Sequence, residues 1–463
     1  MYKEDLDLEP SAKQTSLELA FSRIISPFDE FIHRETTSGL LLMLCTLLAL
    51  IIVNVGFYEP YQQVLHTPIG LGFGDWRLEK TLHHWVNDGL MALFFFVVGL
   101  EIKREVMVGE LSDIRMAALP IFAAAGGMIV PALLFTAFNM GSETSVGWGI
   151  PMATDIAFAV GVMALLGPRV PKALLMFLVA LAIADDLGAV LVIAVFYTET
   201  LQYGALLFGL MMFLILIGMN SLGIRRPLYY FMLGLLLWFA LLASGVHATL
   251  AGVLTALTIP ARPRFEPEQF SAQARRLLDR FDTHSQAGKS ILSNQNQMAI
   301  LQTFEHCIHS VETPLQRLEH TMHKPVAFLV IPAFALTNAG IYIDWSGIGE
   351  LLFHPLTLGV MAGLVLGKLI GIAGISYLVI KLGWARLPEG VSFSHLVGAG
   401  LLGGIGFTMS IFIAELAFAG QDQFLLMAKT GILCASVVAG VSGLLWLYFV
   451  SLQKRNAVSL RKA

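Results

Sequence analysis

The stretch Ala180-Leu181-Ala182-Ile183-Ala184-Asp185-Asp186-Leu187-Gly188 sets two adjacent carboxylates in the middle of an apolar run from about Lys172 to Tyr197. A run of that length is long enough to cross a bilayer as a helix. An ionised carboxylate at the centre of such a helix costs a few kcal/mol or more, so it persists only where it faces protein, water or a counter-ion. Neighbouring helical residues point about 100° apart, so the two acids cannot both face lipid. A fixed ion-paired strut would meet that requirement. So would a binding site, and charges at mid-membrane depth are functional more often than structural.

Composition points the same way. The chain has 463 residues, 56% hydrophobic and 13% charged, with a mean hydropathy of +0.73. A soluble globular domain carries about 25% charged residues, so the expected class is an all-α polytopic membrane protein. A net charge of −4 says little when most of the chain lies in lipid, and no nucleic-acid partner is expected. Cys45 and Cys434 sit in apolar runs and Cys307 in a polar one, which suggests no disulfide framework. No cleavable signal peptide is expected. Residues 1–37 read as a cytoplasmic tail, with Phe21, Ile24, Ile25, Phe28, Phe31 and Ile32 at helical spacing. That pattern fits an interfacial amphipathic helix or a helix packed on the bundle.

About twelve apolar spans follow, near 38–57, 82–100, 116–138, 148–166, 172–197, 204–220, 227–241, 244–259, 325–341, 355–380, 394–418 and 424–450. Lys103, Arg104 and Arg115 follow the second span, Arg169 and Lys172 the fourth, Arg225 and Arg226 the sixth. Lys381 and Arg386 follow the tenth, and Lys454, Arg455, Arg461 and Lys462 the last, whereas the alternate loops carry Glu143, Glu199, Asp344, Glu350 and Asp422. Basic loops stay inside, so both termini are expected in the cytoplasm. The chain then divides into the tail, spans one to eight (38–259), a polar cytoplasmic loop (260–324), spans nine to twelve (325–450) and a cytoplasmic tail (451–463). The outer connection 58–80 holds Pro68, Gly70, Gly72 and Gly74 between apolar residues and suggests a small hairpin. In the cytoplasmic loop, Met298 to His323 has helical apolar spacing broken at Pro314, which would lengthen the ninth span inward.

Two spans are abnormal. The fourth reads Gly147-Trp148-Gly149-Ile150-Pro151-Met152-Ala153-Thr154-Asp155-Ile156-Ala157-Phe158. The eleventh reads Gly398-Ala399-Gly400-Leu401-Leu402-Gly403-Gly404-Ile405-Gly406-Phe407-Thr408-Met409-Ser410. Helices so rich in glycine unwind locally, and the freed backbone groups must line a cavity or be buried in protein. Glycines that serve only close helix packing would give the same composition. Interrupted spans at corresponding positions of two halves point to a transporter site. Spans three to five and ten to twelve fit this as inverted-topology repeats, one starting inside and one outside.

The intramembrane polar groups are Thr154, Asp155, Asp185, Asp186, His247, Lys368 and Glu415. Unwinding exposes helix ends with about half a charge each, positive at N-termini and negative at C-termini. Asp155 is placed to neutralise the former and Lys368 the latter; for Asp155, structural capping and ion binding stay open together. Hard cations such as sodium take oxygen ligands, and Asp186, Asp185, Thr154 and an unwound backbone would supply them. No Cys/His grouping in the spans suits zinc, and His306-Cys307-His309 lies in the polar loop. A buried carboxylate also binds protons, and sodium on it favours the ionised form, so the two cargoes compete. A site opened alternately to each side would then exchange them. A pair between Lys368 and Asp185 in the empty site would be broken by protonating either partner, and the group would titrate together.

Asn87-Asp88-Gly89-Leu90-Met91-Ala92, Gly99-Leu100-Glu101-Ile102-Lys103-Arg104-Glu105, Ala153-Thr154-Asp155-Ile156-Ala157-Phe158, Asp185-Asp186-Leu187-Gly188, Ser244-Gly245-Val246-His247-Ala248-Thr249 and Gly404-Ile405-Gly406-Phe407-Thr408-Met409-Ser410 occur in that order. With these motifs the chain resembles the NhaA-type bacterial sodium/proton antiporters from about residue 34 to 450. The resemblance implies an electrogenic exchanger of sodium or lithium for protons in the bacterial inner membrane, with no cofactor and no enzymatic activity. It implies that Asp186 is the primary sodium ligand with Asp185 beside it, that Thr154 and Asp155 lie where broken helices cross, and that Lys368 is the family's membrane lysine. It also implies pH sensing by Glu101, Glu105, Glu319, His320 and His247, and a homodimer formed through the 58–80 hairpin. Three features depart from the pattern: the long loop before Glu319, Lys324-Pro325 after His323, and Glu415 within the eleventh span. Glu415 could shift the site's field or sit near the outer surface.

Among other classes, an aspartic protease dyad is expected to carry Tyr-Asp and Gly-x-Gly-Asp on neighbouring spans, and here Phe407 follows Gly-Ile-Gly. Nothing resembles a filter of repeated carbonyls, which disfavours a channel. A sodium-coupled symporter of a small organic anion on the same architecture is the nearest alternative.

Overall fold

A computed structural model of the chain describes residues 35–73, 76–109, 111–198, 201–262, 267–284, 294–343 and 347–462. The apolar pattern at 21–32 lies outside them.

The first span is α1 (Glu35–Asn54), followed by the short α2 (Tyr58–Leu65). Strands β1 (Pro68–Phe73) and β2 (Trp76–Thr81) then pair antiparallel, from Pro68 opposite Thr81 to Phe73 opposite Trp76. The second span is α3 (Leu82–Val108) and the third α4 (Ile114–Asn139). The fourth is broken: a 3-10 helix, Glu143–Met152, leads after a gap to α5 (Ile156–Ala164), bent by 44°. Next come α6 (Lys172–Phe196), α7 (Tyr203–Ser221) and α8 (Pro227–Ser244). Spans seven and eight are nearly continuous in sequence. Gly245 divides them in the left-handed region (φ 83°), which costs glycine nothing and an L side chain about 1 kcal/mol or more. The short α9 (Leu250–Thr258) follows.

The polar loop holds α10 (Pro267–Thr283) and α11 (Gln295–Val311), packed on each other. The helical pattern from Met298 to His323 thus divides at its proline: the first part is α11, which stands apart from the ninth span, and the part from Pro314 lengthens that span inward as expected. That span begins at α12 (Pro314–Pro325), where Thr313 and Gln316 form a capping box and Pro314 occupies the first helical turn, which needs no amide donor. A π-helical turn (Val326–Val330) joins α12 to α13 (Ile331–Asn338). After the short α14 (Ile348–Phe353) come α15 (Pro355–Lys381), the second broken pair α16 (Phe393–Leu402) and α17 (Phe407–Ala417), bent by 46°, and α18 (Asp422–Lys462).

Among the described residues eight helices are long and apolar enough to cross a membrane, or ten if each bent pair counts as one span. The remaining two of the twelve expected positions hold α9 and the α12–α13 helix, which are shorter or more polar. Lipid-facing leucines such as Leu44, Leu207 and Leu214 are exposed, because a membrane helix buries only the stripe that meets its neighbours. Between helices, packing in lipid depends on close approach and not on hydrophobic driving force. At Gly126 of α4 and Gly371 of α15 the two backbones come so near that a Cβ on either would overlap the other's carbonyl. Helices α4, α6, α15 and α18 and the two broken pairs form one packed body, with α4 in contact with α6, α15 and the 3-10 helix. Alongside it lie α3, paired with α9, and α7 paired with α8.

Candidate functional site: a crossing of two broken helices

Each break leaves backbone groups that its own helix cannot satisfy. The opposite break satisfies them. Asp155 is the N-cap of α5: one carboxylate oxygen accepts from the Phe158 amide at 2.9 Å. Its other oxygen accepts from the Thr408 amide at 3.0 Å and the Thr408 hydroxyl at 2.5 Å, at the start of α17. One carboxylate therefore neutralises the positive ends of both half-helices. The carbonyl ends are met the same way. The Asp155 amide donates to Ile405 O at 2.7 Å, the Thr154 hydroxyl to Gly403 O at 2.9 Å, and the Ser410 hydroxyl to Ile150 O at 2.8 Å. Of the two roles expected of Lys368, the structure holds the pair with Asp185 and not the neutralising of the carbonyl ends, which already have donors.

Beside the crossing, α6 presents Asp185 and Asp186, both fully buried. Lys368 is equally buried, and its Nζ lies 2.5 Å from Asp185 Oδ2. Two π-helical turns, Gly363–Gly367 and Ile370–Gly374, flank it in α15; such turns often mark functional positions in a helix. The two carboxylates differ. Asp185 shares a charge with Lys368, whereas neither oxygen of Asp186 has a hydrogen-bond partner. A buried, unpartnered carboxylate is costly unless it is protonated or holds a cation. Among the described residues no group of three or more His, Cys, Asp and Glu side chains is arranged to hold a metal ion. Further oxygen ligands for Asp186 would have to be hydroxyls, backbone carbonyls or water, the set a hard monovalent cation accepts.

Neither aspartate lines the two large cavities. One, of about 910 Å³, opens on the face that carries the hairpin and is lined by Tyr61, His83, Asn87, Phe412, Glu415 and Lys429 among others. The other, about 780 Å³, lies between α4, α6 and the connection after α15. Phe95, Phe334 and Phe412 are buried and pack together, the rings of Phe95 and Phe412 5.4 Å apart and those of Phe334 and Phe412 6.3 Å apart.

The expected pH-sensing residues separate into two places. At the end of the bundle opposite the hairpin, Arg104 contacts Glu105 at 2.7 Å and Glu319 at 2.9 Å, and His323 lies 3.6 Å from Glu101. Burial pushes the Glu319 carboxyl up from its ordinary value, with Arg104 opposing. His320 is exposed and stands outside these ion pairs. His247 is on the hairpin side, lining the larger cavity, with Nε2 2.5 Å from the Tyr197 carbonyl. Sequence reasoning did not single out Thr408, although it lies in a quoted motif. Lys103 reads in the sequence only as a loop charge, whereas its Nζ donates to the Leu257 and Ile259 carbonyls at the end of α9, and His83 and Lys429 meet Glu415 only in the fold.

Comparison with known proteins adds to this geometry. The sequence profile described as Na+/H+ antiporter 1 matches residues 29–447. The chain is similar to the Na(+)/H(+) antiporter NhaA 1 of Saccharophagus degradans, 56% identical over 431 residues and covering 93% of both chains. It is 52% identical over 432 residues to the NhaA antiporter of Sulfurimonas denitrificans, covering 93% of this chain and 97% of that one. With the NhaA antiporter of Dichelobacter nodosus it shares 46% identity over 437 residues, 94% of each.

Proposed function

The chain belongs to the Na+/H+ antiporter 1 family, and from that premise we propose that it exchanges cytoplasmic sodium or lithium for external protons across the bacterial inner membrane. Asp186 holds the ion, with Asp185, Thr154 and freed backbone carbonyls as its surroundings, and Asp155 fixes the crossing. One observation carries this reading: the buried Asp186 carboxylate has no partner for either oxygen, next to the break of two helices. Sodium and protons compete for that carboxylate, so loading one expels the other. Protonation also dissolves the Lys368–Asp185 pair, and the three groups titrate as a unit. Uptake of more than one proton per sodium makes the exchange electrogenic. Alternating access follows if the buried aspartates meet the water of each face in turn.

Regulation by pH belongs to Glu101, Glu105, Glu319 and His320 at the cytoplasmic mouth, with His247 on the other side. The basic loops support a cytoplasmic position for both termini, and the β1–β2 hairpin, whose outer edges have no strand partner among the described residues, joins two copies in a dimer. A sodium-coupled symporter of an organic anion needs a wide cavity at the aspartates, and neither large cavity includes them. The purified protein in sealed vesicles, bearing a pH gradient, provides the test. Added sodium or lithium should collapse the gradient and potassium should not. A gradient that survives sodium across the whole pH range refutes the exchange.

A further inference from the structure

Glu415 lies seven residues along α17 from Thr408, which binds Asp155, and three from Phe412. At about 1.5 Å per residue the helix therefore runs from the ion site, past the aromatic cluster, into the hairpin-side cavity within roughly 10 Å. There the Glu415 carboxylate meets a lysine and a histidine on other helices. Lys429 Nζ of α18 is 2.6 Å from Oε1, and His83 Nε2 of α3 is 3.5 Å from the same atom. The side chains are 12%, 13% and 29% exposed for Glu415, Lys429 and His83, so the cluster is shielded but in reach of cavity water. His83 Nε2 also lies 3.1 Å from Asn338 Oδ1 and 3.3 Å from Asn87 Nδ2, and Asn338 donates to Asn87 Oδ1 at 2.8 Å. Residues of α3, α13, α17 and α18 are thus tied together around one imidazole, directly above the buried phenylalanines.

We propose that Glu415, with His83 and Lys429, is a latch that holds α17 against α3 while the hairpin side is sealed, and that a proton taken by His83 from that side tightens it. The inference rests on the exchange proposed above. Histidine changes charge between about pH 5 and pH 8, the range an external medium covers. A neutral imidazole offers Glu415 only a dipole; a protonated one adds an ion pair between the two helices. The other charged and titratable groups around the cavity are Tyr58 and Tyr61 of α2, His66 just after it, Lys80 of β2, His84 and Asp88 of α3, Tyr197, His247, Tyr342 and Asp422, and the exposed His66 is held by the Gln62 carbonyl at 2.9 Å. Tyr61 stays neutral because burial and the nearby Glu415 push its hydroxyl up. His84 is engaged with Asp88 at 2.8 Å, and His247 with Tyr197, which leaves His83 as the imidazole facing Glu415. External acid would then slow opening toward the hairpin side, limiting proton entry when protons are abundant outside. Glu415 and His83 are positioning residues in this scheme, acting through α17.

The test is side-specific. In sealed, uniformly oriented vesicles the pH on the hairpin side is lowered from about 8 to about 6, with the opposite side held constant, and sodium exchange is followed. Because protons on that side are also cargo, the latch is read against His83→Asn under the same gradient: on acidification the wild type should become slower than that variant by roughly threefold, the scale of one partly exposed ion pair. Glu415→Gln should match His83→Asn, and both should keep the dependence on the opposite-side pH. Size-exclusion profiles matching wild type establish folding, and if Glu415→Gln does not fold, His83→Asn decides alone. A wild type without sodium–proton exchange refutes the proposed function. Exchange in which the wild type and His83→Asn respond alike to hairpin-side acid overturns the latch.

Discussion

The helix crossing and the Arg104 cluster are both held by polar side chains, yet their partners differ in kind. At the crossing, Asp155, Thr154 and Ser410 bind backbone groups from which water is excluded. At the Arg104 cluster, side chains pair with side chains, and Arg104 itself is 38% exposed. A buried polar group that loses its partner bears its full desolvation cost, whereas a partly exposed one exchanges that partner for water. The crossing therefore sets geometry, and the cluster is left free to answer to solution conditions.

The largest expected effect is at Asp186. Asp186→Asn keeps volume and removes the charge, so sodium-driven collapse of a pH gradient should vanish while the purified variant elutes like wild type. Wild-type exchange by this variant would remove the ion site from the crossing. Next is Asp155→Ala, which uncaps two half-helices at about 1 kcal/mol each, so a loss of roughly 2 kcal/mol in thermal stability is expected. A loss no greater than that from Arg104→Gln would erase the contrast between the two regions.

The smallest effect belongs to Glu319. Its carboxyl is pushed above the ordinary value, so the fold favours the protonated form. Its contribution to stability is present at low pH and declines as pH rises through the raised value. Glu319→Gln should flatten that part of the melting profile just above the usual carboxylate range, measured in detergent. An unchanged slope would show that Arg104 fully compensates the burial.

Much of this is legible in the sequence. Pro151, the clustered glycines and the Thr154-Asp155 pair marked both breaks, because local backbone chemistry announces itself in composition. The paired aspartates stood out because charge in an apolar run is costly wherever it occurs. The partners did not stand out. Thr154 with Gly403, and Asp155 with Ile405 and Thr408, are about 250 residues apart, and no periodicity links them. The same holds for His83, Glu415 and Lys429. Helix α11 misled the pattern for a different reason: its apolar stripe, which reads like an inward extension of a span, is spent on α10.

The double cap at Asp155 has a mechanical consequence. Its amide, its carboxylate and the neighbouring Thr154 hydroxyl stitch two chain segments from opposite halves of the sequence at a single point. Neither interrupted helix can shift without dragging the other. Under the exchange proposed above, access to the aspartates would change by carrying the joined pair as one cassette past the surrounding helices, because prying its halves apart would strand several buried donors and acceptors at once.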